Sequence, residues 1–197
     1  MSDRVKLRAI LARWFGRRRV RDHARLWDTR TTIHMYHDPD HQYAKLLQAG
    51  EDEEKVITLA KQNGHYKGVK VIDGNMALDV GLQNLGDLMI GSGTAWATPY
   101  IGVGDSSTAE AAAQTALQAA TNKAYAAMDS TYPKRTGKTV SFKATFAAGV
   151  ASWVWQEIVV LTGNGTGIAL NRKVGAWGTK GANDTYSMQV DITLAAA

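Results

Sequence analysis

The chain has 197 residues, a length that suits one domain or one domain with an appended arm. Zero cysteines exclude disulfides, thiol catalysis and cysteine-ligated metal sites. No apolar run approaches the roughly 18 residues of a membrane-spanning helix, and the amino terminus lacks the apolar region of a signal peptide, so we expect folding in the cytoplasm. Residues 1–30 hold ten basic and three acidic residues, a net charge of +7 within a total of +5, which indicates an acidic partner for this segment.

Residues 1–30 form a basic arm whose first part has helical periodicity. Leu7, Ile10, Leu11 and Trp14 recur on one face, and Gly16 is expected to end the helix. Three partners remain open: DNA phosphates, a membrane surface, or an acidic groove on another protein. We favour a protein and expect no membrane, because a pure phosphate binder needs no apolar stripe. The predicted docking residues are Arg4, Arg8, Leu11, Trp14, Phe15, Arg17, Arg18, Arg19 and Arg21.

Residues 31–74 are predicted to form a connecting β region. The run 31–37 is β-prone and ends at a turn signal, Asp38-Pro39-Asp40. The acidic run 51–54 is expected to be an exposed patch. Residues 55–61 and 66–72 are expected to pair as a hairpin across Asn63-Gly64.

His34, His37 and His41 are weak candidates for a metal site, because Asp38 and Asp40 lie among them. Two geometric objections stand against the site. Pro39 breaks the helix that would place residues 37 and 41 on one face, and on a strand residues 34 and 37 point to opposite sides. We therefore favour a polar loop and predict no metal and no cofactor.

Two helices and a short strand are predicted between residues 75 and 128. The apolar pattern predicts a helix over 75–90, a buried strand over 100–104, and an alanine-rich helix over 108–128 that Ser107 and Glu110 would cap. Gly102 and Gly104 invite a phosphate-loop interpretation. No lysine follows them, so we expect them to permit a tight turn into the helix.

The last third of the chain has the period of two that is typical of strands. Apolar residues alternate with polar ones over 140–146 and again over 186–194, and the run 153–161 is rich in β-branched and aromatic residues. Several such strands predict an antiparallel β-sandwich over 75–197, with one or two helices, in a mainly β (α+β) chain. The residues assigned to its core or to a subunit interface are Phe142, Phe146, Trp153, Trp155, Tyr186 and Met188.

The order of these features resembles a class of tailed-bacteriophage virion proteins found among tail, fibre-attachment, collar and capsid-surface components. The resemblance covers about 120 residues and rests on short motifs in order. They are Asn75 to Leu85, Tyr100 to Gly104, the Thr/Ala-rich stretch from Ser106, Val140 to Phe146, Glu157 to Leu161, Ala169 to Arg172, and a closing alternating strand.

The resemblance implies a non-enzymatic virion structural protein, made in the host cytoplasm, that assembles as a trimer or ring. It also implies an ion pair between Glu157 and Arg172 on adjacent strands, partly buried. The arm would anchor the chain to a portal, collar, tail or major capsid protein. The alternatives are a capsid decoration protein, a receptor- or glycan-binding module that uses Trp153 or Trp155, and a protein that binds DNA through residues 1–30.

Overall fold

A computed structural model describes residues 27–194, which form two antiparallel five-stranded sheets packed face to face. The strands are β1 (Trp27–His37), β2 (Tyr66–Asp73), β3 (Met76–Ala77), β4 (Tyr100–Gly104), β5 (Lys123–Ala127), β6 (Lys134–Thr136), β7 (Thr139–Phe146), β8 (Val154–Leu161), β9 (Ala169–Thr179) and β10 (Asp184–Leu194). The helices are α1 (Gln42–Gln48), α2 (Glu53–Gln62) and α3 (Asp79–Met89). The described part is therefore a β-rich α+β fold, as the sequence predicts.

The first sheet has the strand order β2-β1-β10-β7-β6, and the second has the order β3-β9-β8-β4-β5. Strand β1 pairs with β10 along its whole length, from Trp27 opposite Leu194 to His37 opposite Asp184. Our expectation that the sandwich begins at residue 75 is therefore wrong. Residues 27–73 supply a central strand and an edge strand of the first sheet rather than a connecting region.

The core lies between the sheets and is built by alternation along the strands. In β10, Tyr186, Met188, Val190 and Ile192 face the core, and the intervening residues face outward. Strand β7 alternates in the same phase, with Phe142 opposite Val190 in the ladder. Burying large apolar side chains contributes about 1.5–3 kcal/mol each, so this alternation sets the register of the sheet.

Helices α1 and α2 pack against the outer face of the first sheet, where the sequence analysis expected a hairpin. Residues 55–62 are helical, and β2 pairs with β1 instead. The acidic run begins α2: the Asp52 side chain accepts hydrogen bonds from the amides of Glu54 and Lys55. An Asp cap followed by acidic residues stabilises the positive end of a helix, which the hairpin interpretation overlooked.

The alanine-rich segment is also not a helix. Residues 105–122 run irregularly over the second sheet, and the next element is strand β5. Glu110, expected to complete a capping box, instead accepts a hydrogen bond from the amide of Val174 at 2.6 Å. Contacts with distant strands therefore outweigh the local helix propensity of alanine, which amounts to less than about 1 kcal/mol per residue.

Candidate functional site

The residues predicted to dock the arm lie outside the described part of the chain. They are Arg4, Arg8, Leu11, Trp14, Phe15, Arg17, Arg18, Arg19 and Arg21. Residues 27–30, the end of the predicted arm, belong to β1. The sandwich therefore begins within the segment assigned to the arm.

The aromatic residues assigned to the core or interface surround Trp155. Its ring is fully buried and meets Phe146 and Tyr186 nearly edge-on, with centroid separations of 4.9 and 5.1 Å. Its indole Nε1 donates a hydrogen bond to the carbonyl of Ala151 at 2.8 Å. Edge-to-face pairs of this kind stabilise cores beyond the area that they bury. Trp155 is thus sequestered from any sugar at the surface.

The other members of the set also contribute to this core. Phe142 and Met188 are buried within it, and Trp153, half-buried just before β8, packs against it. Trp153 and Trp155 therefore do not form an exposed aromatic row.

Glu157 and Arg172 form an ion pair on the neighbouring strands β8 and β9. The distance between Arg172 Nε and Glu157 Oε2 is 2.7 Å, and neither side chain is exposed. The pair is fully buried, where the sequence analysis expected partial burial. Two charges without solvent are stable only when further hydrogen bonds satisfy them.

Those further hydrogen bonds come from residues 105–122. The Arg172 guanidinium donates to the carbonyl of Thr108 and to Gln114 Oε1, each at 2.9 Å. The Glu157 carboxylate accepts from the amides of residues 118 and 119, at 2.9 and 2.7 Å. The pair therefore fastens an irregular segment to the second sheet, which explains why that segment does not become helical.

Gly104 makes room for this pair. A Cβ atom at Gly104 would lie 2.5 Å from Glu157 Oε1, and one at Gly102 would lie 2.8 Å from the Tyr125 ring. Both glycines belong to strand β4. Their role is close packing rather than the predicted tight turn into a helix.

The three candidate histidines have separate surroundings. His34 Nδ1 lies 2.9 Å from the hydroxyl of Tyr66, His37 Nδ1 lies 3.7 Å from Asp184 Oδ1, and His41 precedes α1 in a left-handed conformation. Within residues 27–194, no three His, Asp or Glu side chains are grouped so that they could hold a metal ion. Asp38 instead accepts hydrogen bonds from the amides of residues 43 and 44.

A polar cavity of about 290 Å³ lies between the start of α2 and the outer face of the first sheet. Lys143 and Glu53 lie in its wall, with Lys143 Nζ 3.2 Å from Glu53 Oε2. The hydroxyl of Tyr36, which does not line the cavity, donates to Glu53 Oε1 at 3.3 Å. Nearby, burial raises the pKa of Asp129 to about 6, although the Thr145 hydroxyl donates to it. The Glu53–Lys143 ion pair and the hydrogen bond from Tyr36 therefore tie α2 to the sheet.

An apolar cleft of about 280 Å³ opens at the end of the sandwich where β10 finishes. We call it the end cleft. All eight residues around it are apolar: Leu85, Trp96, Pro133, Val140, Phe142, Leu170, Ile192 and Leu194. Its walls come from both sheets and from α3, so it is an unfilled extension of the core.

The apolar surface continues from the end cleft along α3. Leu82, Leu85 and Met89 are spaced three and four residues apart and so share one helical face. Met89 is 88% exposed and Ile90, at the end of the helix, is 79% exposed. Large apolar side chains exposed beside an apolar cleft are typical of a surface that binds another protein.

A second cleft, of about 480 Å³, adjoins the outer face of the first sheet where β1 begins. We call it the acidic cleft. It is lined by Asp28, Thr29, Arg30, Asp73, Gly74, Thr139, Asp191 and Thr193. Three aspartates against one arginine make its local charge negative, whereas the arm has a net charge of +7.

The sequence analysis missed both clefts. It predicted a helix over 75–90 from an apolar pattern and expected no exposed apolar surface there, although α3 carries apolar residues on more than one side. Apolar residues beyond a single buried stripe on this helix were the sequence signal for an exposed apolar surface. The acidic cleft had no such signal, because Asp28, Asp73 and Asp191 are brought together by strand pairing between distant segments.

None of the helices in residues 27–194 combines the length and apolar character needed to cross a membrane. The chain matches no protein-family model, and no curated protein and no solved structure shows significant similarity to it.

Proposed function

We propose that this chain is a non-enzymatic structural protein of a tailed-bacteriophage virion. Its sandwich would assemble as a symmetric homo-oligomer, and its arm would attach it to a tail, collar or head component. The order of sequence motifs supports the virion assignment. The described residues form a β-sandwich, and a basic segment precedes it in the sequence; both suit an assembly role.

The observation that carries this proposal is the apolar surface at one end of the sandwich. The end cleft and the exposed side chains of Met89 and Ile90 leave apolar area uncovered in the single chain. Covering such area is favourable by about 25 cal/mol per Å². A symmetric interface would cover it on every copy at once.

Among the alternatives, the capsid decoration protein shares the same surfaces and differs only in its neighbour. The glycan-binding alternative is less well supported, because Trp155 is buried in the core and Trp153 packs against it. The net positive charge of the arm still supports the alternative in which residues 1–30 bind DNA.

The first experiment measures the mass of the purified full-length chain by sedimentation equilibrium over a range of concentrations. We expect a closed oligomer, and weakening of that oligomer by Met89→Lys, which places a charge on the apolar surface. Lys45→Glu, an exposed change on α1, is the matched control. A monomer at every concentration would contradict the homo-oligomer.

The second experiment tests attachment to the particle. Tagged full-length protein and a chain lacking residues 1–26 are expressed during particle assembly, and purified particles are probed for the tag. We expect incorporation of the full-length protein only. Incorporation of both proteins into particles would show that the arm is not needed for attachment. If the full-length protein is not incorporated and its arm binds random DNA in a salt-sensitive way, the DNA alternative is favoured.

A further inference from the structure

We propose that the end cleft and the acidic cleft bind the arm of a second copy of this chain, so that neighbouring copies exchange arms. The inference rests on the proposed homo-oligomer and names the surfaces that hold it together. It takes a second copy of this chain as the partner of the arm, in place of the tail, collar or head component proposed above. Its occupant is the segment from Leu7 to Arg21 of the other copy.

The apolar chemistry of the arm matches the end cleft. Leu7, Leu11 and Trp14 recur at helical spacing, and the cleft walls are wholly apolar. At about 280 Å³ the cleft is at or below the size of small-molecule sites, which run from ~300 to ~1,000 Å³. It suits a few anchoring side chains, and tryptophan is one of the residue types enriched among the anchors of protein interfaces.

The charge of the arm matches the acidic cleft. Five of its arginines lie between residues 17 and 25, on the sandwich side of the apolar stripe. The acidic cleft lies on the outer face of the first sheet, beside the ends of β1 and β10. The apolar stripe of the arm therefore matches the end cleft, and the arginines that follow it in the sequence match the acidic cleft.

The point where the arm joins the sandwich brings these surfaces together. Strand β1 starts at Trp27, which lies opposite Leu194, a residue of the end-cleft wall. Eleven residues separate Phe15 from Trp27. When extended they span roughly 40 Å, enough to reach the same end of an adjoining copy.

Exchange between copies also satisfies symmetry. Two copies that meet at this end across a twofold axis each offer one arm and one pair of clefts, so both arms are bound in the same way. The contact then fills the clefts and joins the copies in one step, which an arm folded back on its own sandwich would not do.

The experiment uses disulfide capture, which is clean because the full-length chain has no native cysteine. One protein carries Leu11→Cys, and a second, isotopically heavier protein carries Leu194→Cys. The two are mixed, allowed to re-equilibrate and oxidised. We expect a mixed disulfide that contains one light and one heavy chain, detected by mass spectrometry.

The matched control replaces Leu194→Cys with Val154→Cys. These positions are similarly exposed, at 50% and 46%, but Val154 lies at the opposite end of the sandwich, next to Trp155. Because docking raises the local thiol concentration toward the millimolar range, we expect about tenfold more mixed disulfide with Leu194→Cys. Equal yields from the two positions would overturn the exchange.

Two further measurements separate this inference from the proposed function. A chain that carries both Leu11→Cys and Leu194→Cys, diluted into cysteine-free protein, reports an arm folded on its own sandwich as an internal disulfide, which would overturn exchange. An oligomer that persists when residues 1–26 are removed would also overturn exchange while leaving the homo-oligomer intact. Dissociation of that shortened chain to monomer, together with the mixed disulfide, supports exchange.

Discussion

Arg172 shows what a single buried charge does in this fold. Its fully buried guanidinium donates to Glu157 and to three groups of the segment 105–122, the carbonyls of Thr108 and Ala109 and the side chain of Gln114. Removing one partner of a buried pair leaves the other charge uncompensated, which usually costs about 3–5 kcal/mol. The pair is therefore a requirement for the conformation of residues 105–122.

We predict that Arg172→Met lowers the free energy of unfolding by about 3–5 kcal/mol, measured by urea denaturation. The control is Arg30→Met, because Arg30 is 62% exposed and lies 4.0 Å from Asp73. That change should alter stability by less than about 0.5 kcal/mol. Equal stability of the Arg172→Met protein and the unmodified chain would show that the pair is not structural.

Lys180 is a second buried charge, and it has no carboxylate within ion-pair distance among the described contacts. Its Nζ donates to the carbonyl of Ala147 at 2.8 Å, and burial lowers its pKa to about 8. The unfolded chain binds this proton more tightly, because its lysine has the ordinary pKa of 10.5. Lys180 therefore contributes a rise of the free energy of unfolding with pH between about 8 and 10.5, which opposes the contribution of buried tyrosines such as Tyr186, whose pKa burial raises.

We predict that Lys180→Met removes this rise. The measurement is the difference in unfolding free energy between pH 8 and pH 10.5, to which Lys180 contributes on the order of 3 kcal/mol. Lys45→Met, which removes an exposed lysine from α1, should leave the rise in place. A rise that survives Lys180→Met would mean that Lys180 is not its source.

Helix α3 shows how packing decides the effect of a small residue at the scale of one element. Gly81 lies against β9: a Cβ atom there would be 2.6 Å from the Leu170 Cα and 2.7 Å from the Ala169 carbonyl. Gly86 has no atom within 4 Å of the corresponding position. The two glycines lie in the same helix, and only one is needed for close approach.

We therefore predict opposite effects for the two alanine substitutions. Gly86→Ala should stabilise the protein by about 0.5–1 kcal/mol through helix propensity. Gly81→Ala should destabilise it by about 1–3 kcal/mol, because the new methyl group meets backbone that cannot give way. Thermal unfolding measures the change in stability of each variant. Changes of the same sign would contradict this packing of α3 on β9.

The elements that the sequence predicts are those whose pattern is set by local alternation. Strands β7 and β10 have one face in the core and one outside, so period two identifies them. Residues 105–122 were predicted as helix because alanine propensity is local, whereas Glu157 and Arg172 hold them from strands further along the chain. Strand β2 was given the wrong partner for the same reason.

The candidate site was predictable only in part. The resemblance to virion proteins implied the Glu157–Arg172 pair, and the structure places the two side chains in contact. The end cleft depends on the meeting of α3, β7, β9 and β10, which no local pattern encodes. Surfaces formed by several distant elements follow from topology rather than from periodicity.

At the scale of the whole molecule, the first and last described strands lie side by side. Strand β1 forms a full ladder with β10 and places Ile33 in the core opposite Met188. The sheet is therefore complete only when both ends of the described chain are present. Pairing across so long a loop makes folding slow but cooperative.

We predict that the fragment 75–197, which the sequence analysis took as a self-contained sandwich, does not fold. It lacks β1 and β2, so one edge of β10 is unpaired and Ile33 is missing from the core. The fragment 27–197 keeps every described element and should unfold in one cooperative urea transition. Circular dichroism and amide hydrogen exchange distinguish the two, with slow exchange expected along β10 only in the longer fragment. Cooperative unfolding of 75–197 would show instead that β1 is an accessory strand, and that the terminal pairing is not what completes the sandwich.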